Sequence, residues 1–511
     1  MIRSNNWLAV WSLLLTVALQ GERTTQEHPG AVLVPNEPCI ASKAVSAHAA
    51  GATDETFEPE KLRADFRIAR GALEEGHSGI YRYTSKEELD RVFDNAEKSL
   101  TKPMSMIEFY RVLAPAVAAI KCGHTEVSLP KDFMKTFTCK YGFLPLEVRV
   151  LAGKVYVWRD ISCAPATLAG MELRSINGVS AAQIVEKLLA AASGDGDIQT
   201  IRMRRISGWK FSTQLQALIG LYGPYDVALW DSKEKREIKV HLEGADMTRL
   251  REAALARYPQ DQPPKTSGEF KFLDEGMIAV MKIHGFSGFV DVEQKKTLED
   301  FYQESFEAMN RKGTKTLVLD LRSNGGGEDK LGKLLLSYLL DEPFKYYDEL
   351  VVNAREFSFG KYADLPEVPA DAVERQPSGK YRVVNHPNLG IQQPSKPTFA
   401  GKVFILINGD CFSTTAEFLS QAHYHKRATF IGEESGGGYY GNTSGAVPAL
   451  TLPNTKLIVY VPLVTYYLAV SGYKAAALGV LPDHPIRSTI EELLAGADKE
   501  LARALELARG E

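Results

Sequence analysis

Apolar positions recur at helical spacing in three early stretches of the chain. In residues 58–75 (PEKLRADFRIARGALEEG), Leu62, Phe66, Ile68 and Leu73 fall around one face. Residues 85–100 open with Ser85 and Glu88, the spacing of a capping box, and continue with Leu89, Val92, Phe93 and Ala96. Residues 105–121 repeat the device with Ser105 and Glu108, and carry Ile107, Tyr110, Val112, Leu113, Val117 and Ile120. These patterns predict a helical N-terminal domain over 57–130. From about residue 140 the period shortens to that of strands, in LPLEVRVLAG and KVYVWRD. GMELRSINGVSAAQIVEKLLAAA then reads as strand, Asn-Gly turn, strand and helix, and PYDVALWD and REIKVHLEG as two more strands. A β-rich domain over 138–257 is expected, closed by a polar linker containing YPQDQPPKTSG.

The remainder, 268–511, has an α/β pattern. GMIAVMKIHGF and TKTLVLDLRSN flank a helix at 291–311, which makes a βαβ unit. KVFILINGD feeds a helix at 413–426, and 428–432 and 456–462 read as further strands. Residues 342–400 are Pro-rich with little periodicity and read as an insertion.

The first residues change the picture of location. Met1-Ile2-Arg3 leads into WLAVWSLLLTVAL, too short for a bilayer span but suited to a signal peptide over 1–21. The chain is therefore expected to be exported, periplasmic or secreted, with no integral membrane span. Residues 22–56 are polar and aperiodic and read as a disordered leader. The net charge of −4 gives no electrostatic reason to expect nucleic acid. Cys39, Cys122, Cys139, Cys163 and Cys411 are odd in number, far apart and without C-x-x-C, which leaves zinc and thioredoxin-like chemistry unsupported. His423 and His425, two apart on a predicted helix, diverge and make a poor metal pair, and His284 reads as a strand end. No metal and no cofactor is implied.

Candidate chemistry gathers at two strand ends. The strand ending near Leu321 runs into Gly325, Gly326 and Gly327, and Gly327–Lys333 spells G-x-x-x-x-G-K. A phosphate loop needs Ser or Thr next, to hold Mg²⁺, and the next residue is Leu334. The other use of such a loop is to present backbone N–H groups to an oxyanion. The second strand end, Asn408-Gly409-Asp410-Cys411-Phe412-Ser413, puts a serine where a helix N-terminus supplies free donors, Thr414 N–H among them. There is no G-x-S-x-G, and taken alone Ser413 reads first as a helix cap, a common place for serine.

With DLRSNGGG (320–327), GDCFSTTAEF (409–418), IGEESGGGYYGNTSG (431–445) and GVLPDHPI (479–486) in order, the chain resembles the carboxy-terminal-processing (tail-specific) serine peptidase family, which includes the tricorn core. CGHT at 122–125 is similar to the family's G-H-T segment, and GMELRSING to its PDZ pattern. The resemblance implies an α/β fold, with a crotonase-like (Clp-protease-like) catalytic domain, a helical N-terminal domain and a PDZ-like β-rich domain. It implies a polypeptide substrate, Ser413 as nucleophile, and Gly325, Gly326 and the Thr414 N–H as oxyanion hole. Many members use a lysine in a G-K-G context, and SGGGYYG (435–441) has none. The tricorn-like branch uses a histidine, and His124 occupies its place. That branch also has a serine before the histidine and a glutamate near the final G-V-x-P-D, where this chain has Gly123 and Ala-Ala-Ala-Leu (475–478). Orientation of His124 then falls to another acid, with Glu434, Glu433 and Asp483 as candidates. These missing positions leave an alternative open, a catalytically weak or inactive homologue that binds lipid or peptide on the same fold.

Overall fold

The computed structural model describes residues 55–140, 142–162, 164, 166–259, 264, 266–287, 289–291 and 295–510. The expected signal peptide, the expected leader up to residue 54, Cys39 and Cys163 lie outside them.

Helix Pro59–Gly76 starts with proline in its first turn and buries Leu62, Phe66, Ala69, Leu73 and Gly76. Strict i, i+3/i+4 spacing selects Ala69 for this stripe and leaves Ile68 on its flank. Asp65 lies on the same buried stripe because its carboxylate accepts from the N–H groups of Asn454 and Thr455 and from the Thr455 hydroxyl. Helix Lys86–Lys98 carries half of the expected box, Ser85 Oγ accepting from Glu88 N at 3.2 Å. Helix Met106–Ala118 carries both halves. The apolar faces of these helices are continuous with the main core of the α/β part. Strand Val127–Ser128 pairs with Ile458–Tyr460, so this stretch and the far C-terminal part pack as one body.

Residues 146–242 have a core of their own, with Val148, Ile176, Ile184, Leu188, Phe211, Tyr225 and Leu229 at its centre. Strands Leu146–Leu151, Lys154–Asp160, Glu172–Ile176, Tyr225–Asp231 and Arg236–Leu242 lie in that order in one sheet. Asn177 and Gly178 both take positive φ (+48° and +80°), as the two-residue turn to Val179–Ser180 requires. Helix Met247–Arg257, capped by Asp246, occupies the approach to the linker. It buries only Met247 and Leu250, which is why no apolar stripe marks it in the sequence.

The α/β sheet runs Gly268–Leu273, Ile278–Ile283, Thr316–Asp320, Lys402–Ile407, Thr429–Gly432, His484–Pro485. The first pair is antiparallel and the others parallel. Helix Leu298–Lys312 makes the crossover between the second and third strands, as the βαβ pattern predicts. The 342–400 stretch is more ordered than its sequence suggests. Tyr347–Val352, Val373–Arg375 and Tyr381–Val383 form a five-stranded antiparallel sheet with Val464–Leu468 and Thr443–Ser444. Tyr347, Leu350 and Val352 are buried in the main core. The strand expected at 456–462 forms at Ile458–Tyr460 but pairs with Ala449–Thr451 and Val127–Ser128, outside the parallel sheet.

Candidate active site

Strands Thr316–Asp320 and Lys402–Ile407 are parallel neighbours, so the loops after them open on the same edge of the sheet. Asn324, fully buried, joins the two loops. Its Oδ1 accepts from Gly326 N (2.9 Å) and from the Thr415 hydroxyl (2.7 Å), and its backbone carbonyl accepts from Phe412 N (3.3 Å). The Thr414 hydroxyl donates to Gly327 O at 2.7 Å. Across this contact a Cβ on Gly326 would stand 2.7 Å from Ser413 Cβ and 2.8 Å from Phe412 O, and Gly326 φ is +106°. Glycine is required there by close approach and by backbone conformation together.

Ser413 occupies the N-cap position of helix Thr414–Tyr424, but with φ +55° and ψ −129°, and its side chain makes no capping bond. A non-glycine residue held there costs on the order of 1–3 kcal/mol. The hydroxyl instead faces His124, with Nε2 at 3.1 Å from Oγ, across 289 positions of sequence. Of the two readings of Ser413, cap or reactive hydroxyl, the geometry excludes the cap.

His124 follows the end of a helix, where Lys121 turns the chain at φ +59°. Its ring stacks on Phe412, with centroids 4.5 Å apart. Arg205 donates to Gly123 O (2.8 Å) and Ser193 O (3.0 Å), fixing the backbone beside the ring. Burial, with the Arg205 charge alongside, lowers the imidazole to about 3, so the ring is neutral and its Nε2 can accept a proton. Nδ1 is buried and has no partner among the described residues.

The three expected oxyanion donors differ in their surroundings. The N–H groups of Gly325 and Thr414 donate to nothing among the described residues. Gly326 N–H is engaged by Asn324 Oδ1, so Gly326 supplies space where a donor was expected. The candidate orienting acids are engaged elsewhere. Glu434 accepts from Gly479 N (3.1 Å), Glu433 pairs with Arg204 (2.6 Å), and Asp483 accepts from Phe430 N (2.8 Å). His284 faces Glu269 at 2.6 Å and His423 faces Tyr439 at 2.8 Å, both apart from Ser413.

An acid beside His124 is one that sequence reading missed. Asp195 Oδ1 accepts from Gly123 N (2.7 Å) and Oδ2 from Gly438 N (3.2 Å). Cys122, His124 and Asp195 offer one ligand-type atom each within 4.8 Å of one another. The Cys122 thiol, pushed up to about 12 by burial, donates to Thr443 O, and both Asp195 oxygens hold backbone N–H groups, so hydrogen bonds account for this cluster. In the sequence, SGDGD reads only as a polar loop.

Behind the two loops lie two acids, Glu417 buried and Asp329 half-buried. Tyr347 Oη is 2.7 Å from Glu417 Oε2 and 3.1 Å from Asp329 Oδ2, and His386 Nε2 is 3.2 Å from Asp329. Asn442 Nδ2 also donates to Glu417 Oε1 at 2.7 Å, so each carboxylate has a donor besides the shared phenol. Burial, then the Asp329 charge, raises Glu417 to about 7 from 4.5. A carboxyl raised on folding gives stability that is complete below its unfolded value and is lost as pH rises through the folded one. The loss amounts to about 3 kcal/mol between roughly pH 4.5 and pH 7. Glu417→Gln should therefore flatten the fall of Tm between about pH 5 and pH 8 relative to wild type. Thermal unfolding across that range reads the difference directly.

The α/β sheet and the loops on its edge are those of a serine-type peptidase. Residues 277–486, from the second strand of the sheet to the last, match the sequence profile of peptidase family S41. The fold is similar to that of mature CPAF, with 13% identity, a TM-score of 0.59, and 89% of this chain and 98% of that one covered. A crystallised Ser-to-Ala mutant of CPAF gives a TM-score of 0.61 at 13% identity, covering 88% of this chain and 96% of that one. The photosystem II D1 C-terminal processing protease gives 0.40 at 14% identity, covering 83% of this chain and 93% of that one. No curated protein sequence matches the chain.

Proposed function

We propose that the protein is an exported peptidase that hydrolyses peptide bonds through an acyl-enzyme on Ser413, with His124 as general base. The observation that carries the reading is the 3.1 Å contact between His124 Nε2 and Ser413 Oγ. In this mechanism Oγ attacks the peptide carbonyl and Nε2 takes its proton. The Gly325 and Thr414 N–H groups hold the developing oxyanion, and the proton passes to the leaving amine. Water then cleaves the ester by the same route in reverse. A neutral imidazole in hydrogen-bond reach of the hydroxyl meets the first requirement of such a base.

The catalytic domain reads as crotonase-like, and the 146–242 sheet as a PDZ-like unit. Strand Arg236–Leu242 ends that sheet and is exposed along most of its length, so an extended polypeptide can add to it by backbone pairing. Export follows from the signal-peptide pattern at 1–21, and among the described residues no helix is long and apolar enough to cross a membrane.

The test is labelling of the mature protein by a fluorophosphonate, which reacts with activated serines. Wild type should label, Ser413→Ala should not, and His124→Ala should label far more slowly. A well-folded wild type that fails to label would replace this reading with that of a lipid- or peptide-binding protein on the same fold.

A further inference from the structure

For His124 Nε2 to accept the Ser413 proton, the ring hydrogen must sit on Nδ1, and that N–H is buried without a partner among the described residues. The imidazolium formed during attack also needs a counter-charge, because Arg205 beside it is of the same sign. Glu433, Glu434 and Asp483 accept from Arg204, Gly479 N–H and Phe430 N–H, and none of these partners adjoins His124 in the chain. Asp195 is differently placed. It is 1% exposed, and one of its oxygens lies within 4.8 Å of an imidazole nitrogen. Its two oxygens bind the N–H of Gly123, next to the histidine, and of Gly438, in the glycine loop that lacks the G-K-G lysine. Burial raises its carboxyl, while those two N–H groups and the charges of Arg82 and Arg205 oppose the rise and favour the anion.

We infer that Asp195 is the positioning acid of this site. It acts through His124, holding its backbone, selecting the tautomer with hydrogen on Nδ1, and balancing the imidazolium as the Ser413 proton arrives on Nε2. It takes no proton itself. Hydrogen bonds of this kind are often long before substrate binds and shorten in the complex, so a separation of a few ångströms in the free protein suits the role. The acid thereby reaches the site from the segment after helix Ala181–Ala191, far in sequence from the family's C-terminal glutamate position, which is Ala-Ala-Ala-Leu here.

The inference rests on the Ser413–His124 assignment, so fluorophosphonate labelling of wild type is read first, and its failure would refute that assignment separately. With labelling established, pH profiles of kcat/KM are compared for wild type, Asp195→Asn and Asp195→Glu. Asp195→Asn should lower kcat about 10²- to 10⁴-fold with KM within a few-fold. Its acid limb should move down by about one pH unit or more, because the imidazolium has lost its counter-charge. Asp195→Glu should keep the wild-type limb. An Asn variant with a lowered plateau and an unmoved limb would make Asp195 merely structural and overturn the inference. Should Asp195→Asn not fold, wild type decides. A far-downfield imidazole N–H proton signal in the fluorophosphonate adduct, absent from His124→Ala, supports the role, and no such signal in wild type overturns it.

Discussion

Ser413→Ala and His124→Ala should each lower kcat/KM for casein-derived peptides by about 10⁴- to 10⁶-fold, and the double variant should lose no more than either single one. The reason is that the two groups act in one step. Oγ without a base at 3.1 Å attacks as a neutral alcohol, and a base without Oγ has no proton to take. What survives should come from the oxyanion donors alone, since Gly325 and Thr414 keep their N–H groups in both variants. KM should stay near that of wild type, because neither side chain is a large binding surface. Losses that multiply in the double variant would mean that the two residues act separately, and would remove His124 as the base of Ser413. Stability provides a second reading. Ser413 keeps a positive φ whatever its side chain, so Ser413→Ala should change Tm little, and a large fall would assign the hydroxyl a structural part.

Gly326→Ala should lower kcat/KM about 10²- to 10³-fold, while Gly325→Ala, one residue away, should retain most activity. A Cβ at 326 meets Ser413 Cβ, Phe412 O and, at 3.1 Å, Thr414 N, the nitrogen proposed to face the oxyanion. The loop can make room only by moving away from the nucleophile. At φ +106° the alanine also carries backbone strain, so a stability loss of about 1–3 kcal/mol should accompany the kinetic one. A Cβ at 325 meets nothing within 4 Å and leaves the N–H in place. Paired measurement of kcat/KM and Tm separates the two positions. Equal losses at both would mean that the loop tolerates no side chain at all and that the steric account of Gly326 is wrong.

The pattern of the chain carried the elements that bury a regular face. The capping box at Ser105, the Asn177-Gly178 turn and the all-buried strand Thr316–Asp320 are local events whose residue types follow from local geometry. Tyr347–Val352 escaped because the strand it pairs with along most of its length, Val464–Leu468, comes more than a hundred residues later, which a Pro-rich local sequence does not announce. Gly326 was legible as important but not as a steric position, since an N–H engaged by a side chain looks the same in sequence as a free one.

By itself, the sequence determined the βαβ frame, the glycine loop, and the serine at a strand–helix junction, because period, glycine and residue order are properties of adjacent positions. It also named His124 from a short resembling segment. The tertiary structure alone decided that Ser413 does not cap its helix, that Nε2 lies on its hydroxyl, and that Asp195 stands beside the histidine. Those are distances between segments tens to hundreds of residues apart, and only the packing of the sheet edge against the neighbouring core brings them together.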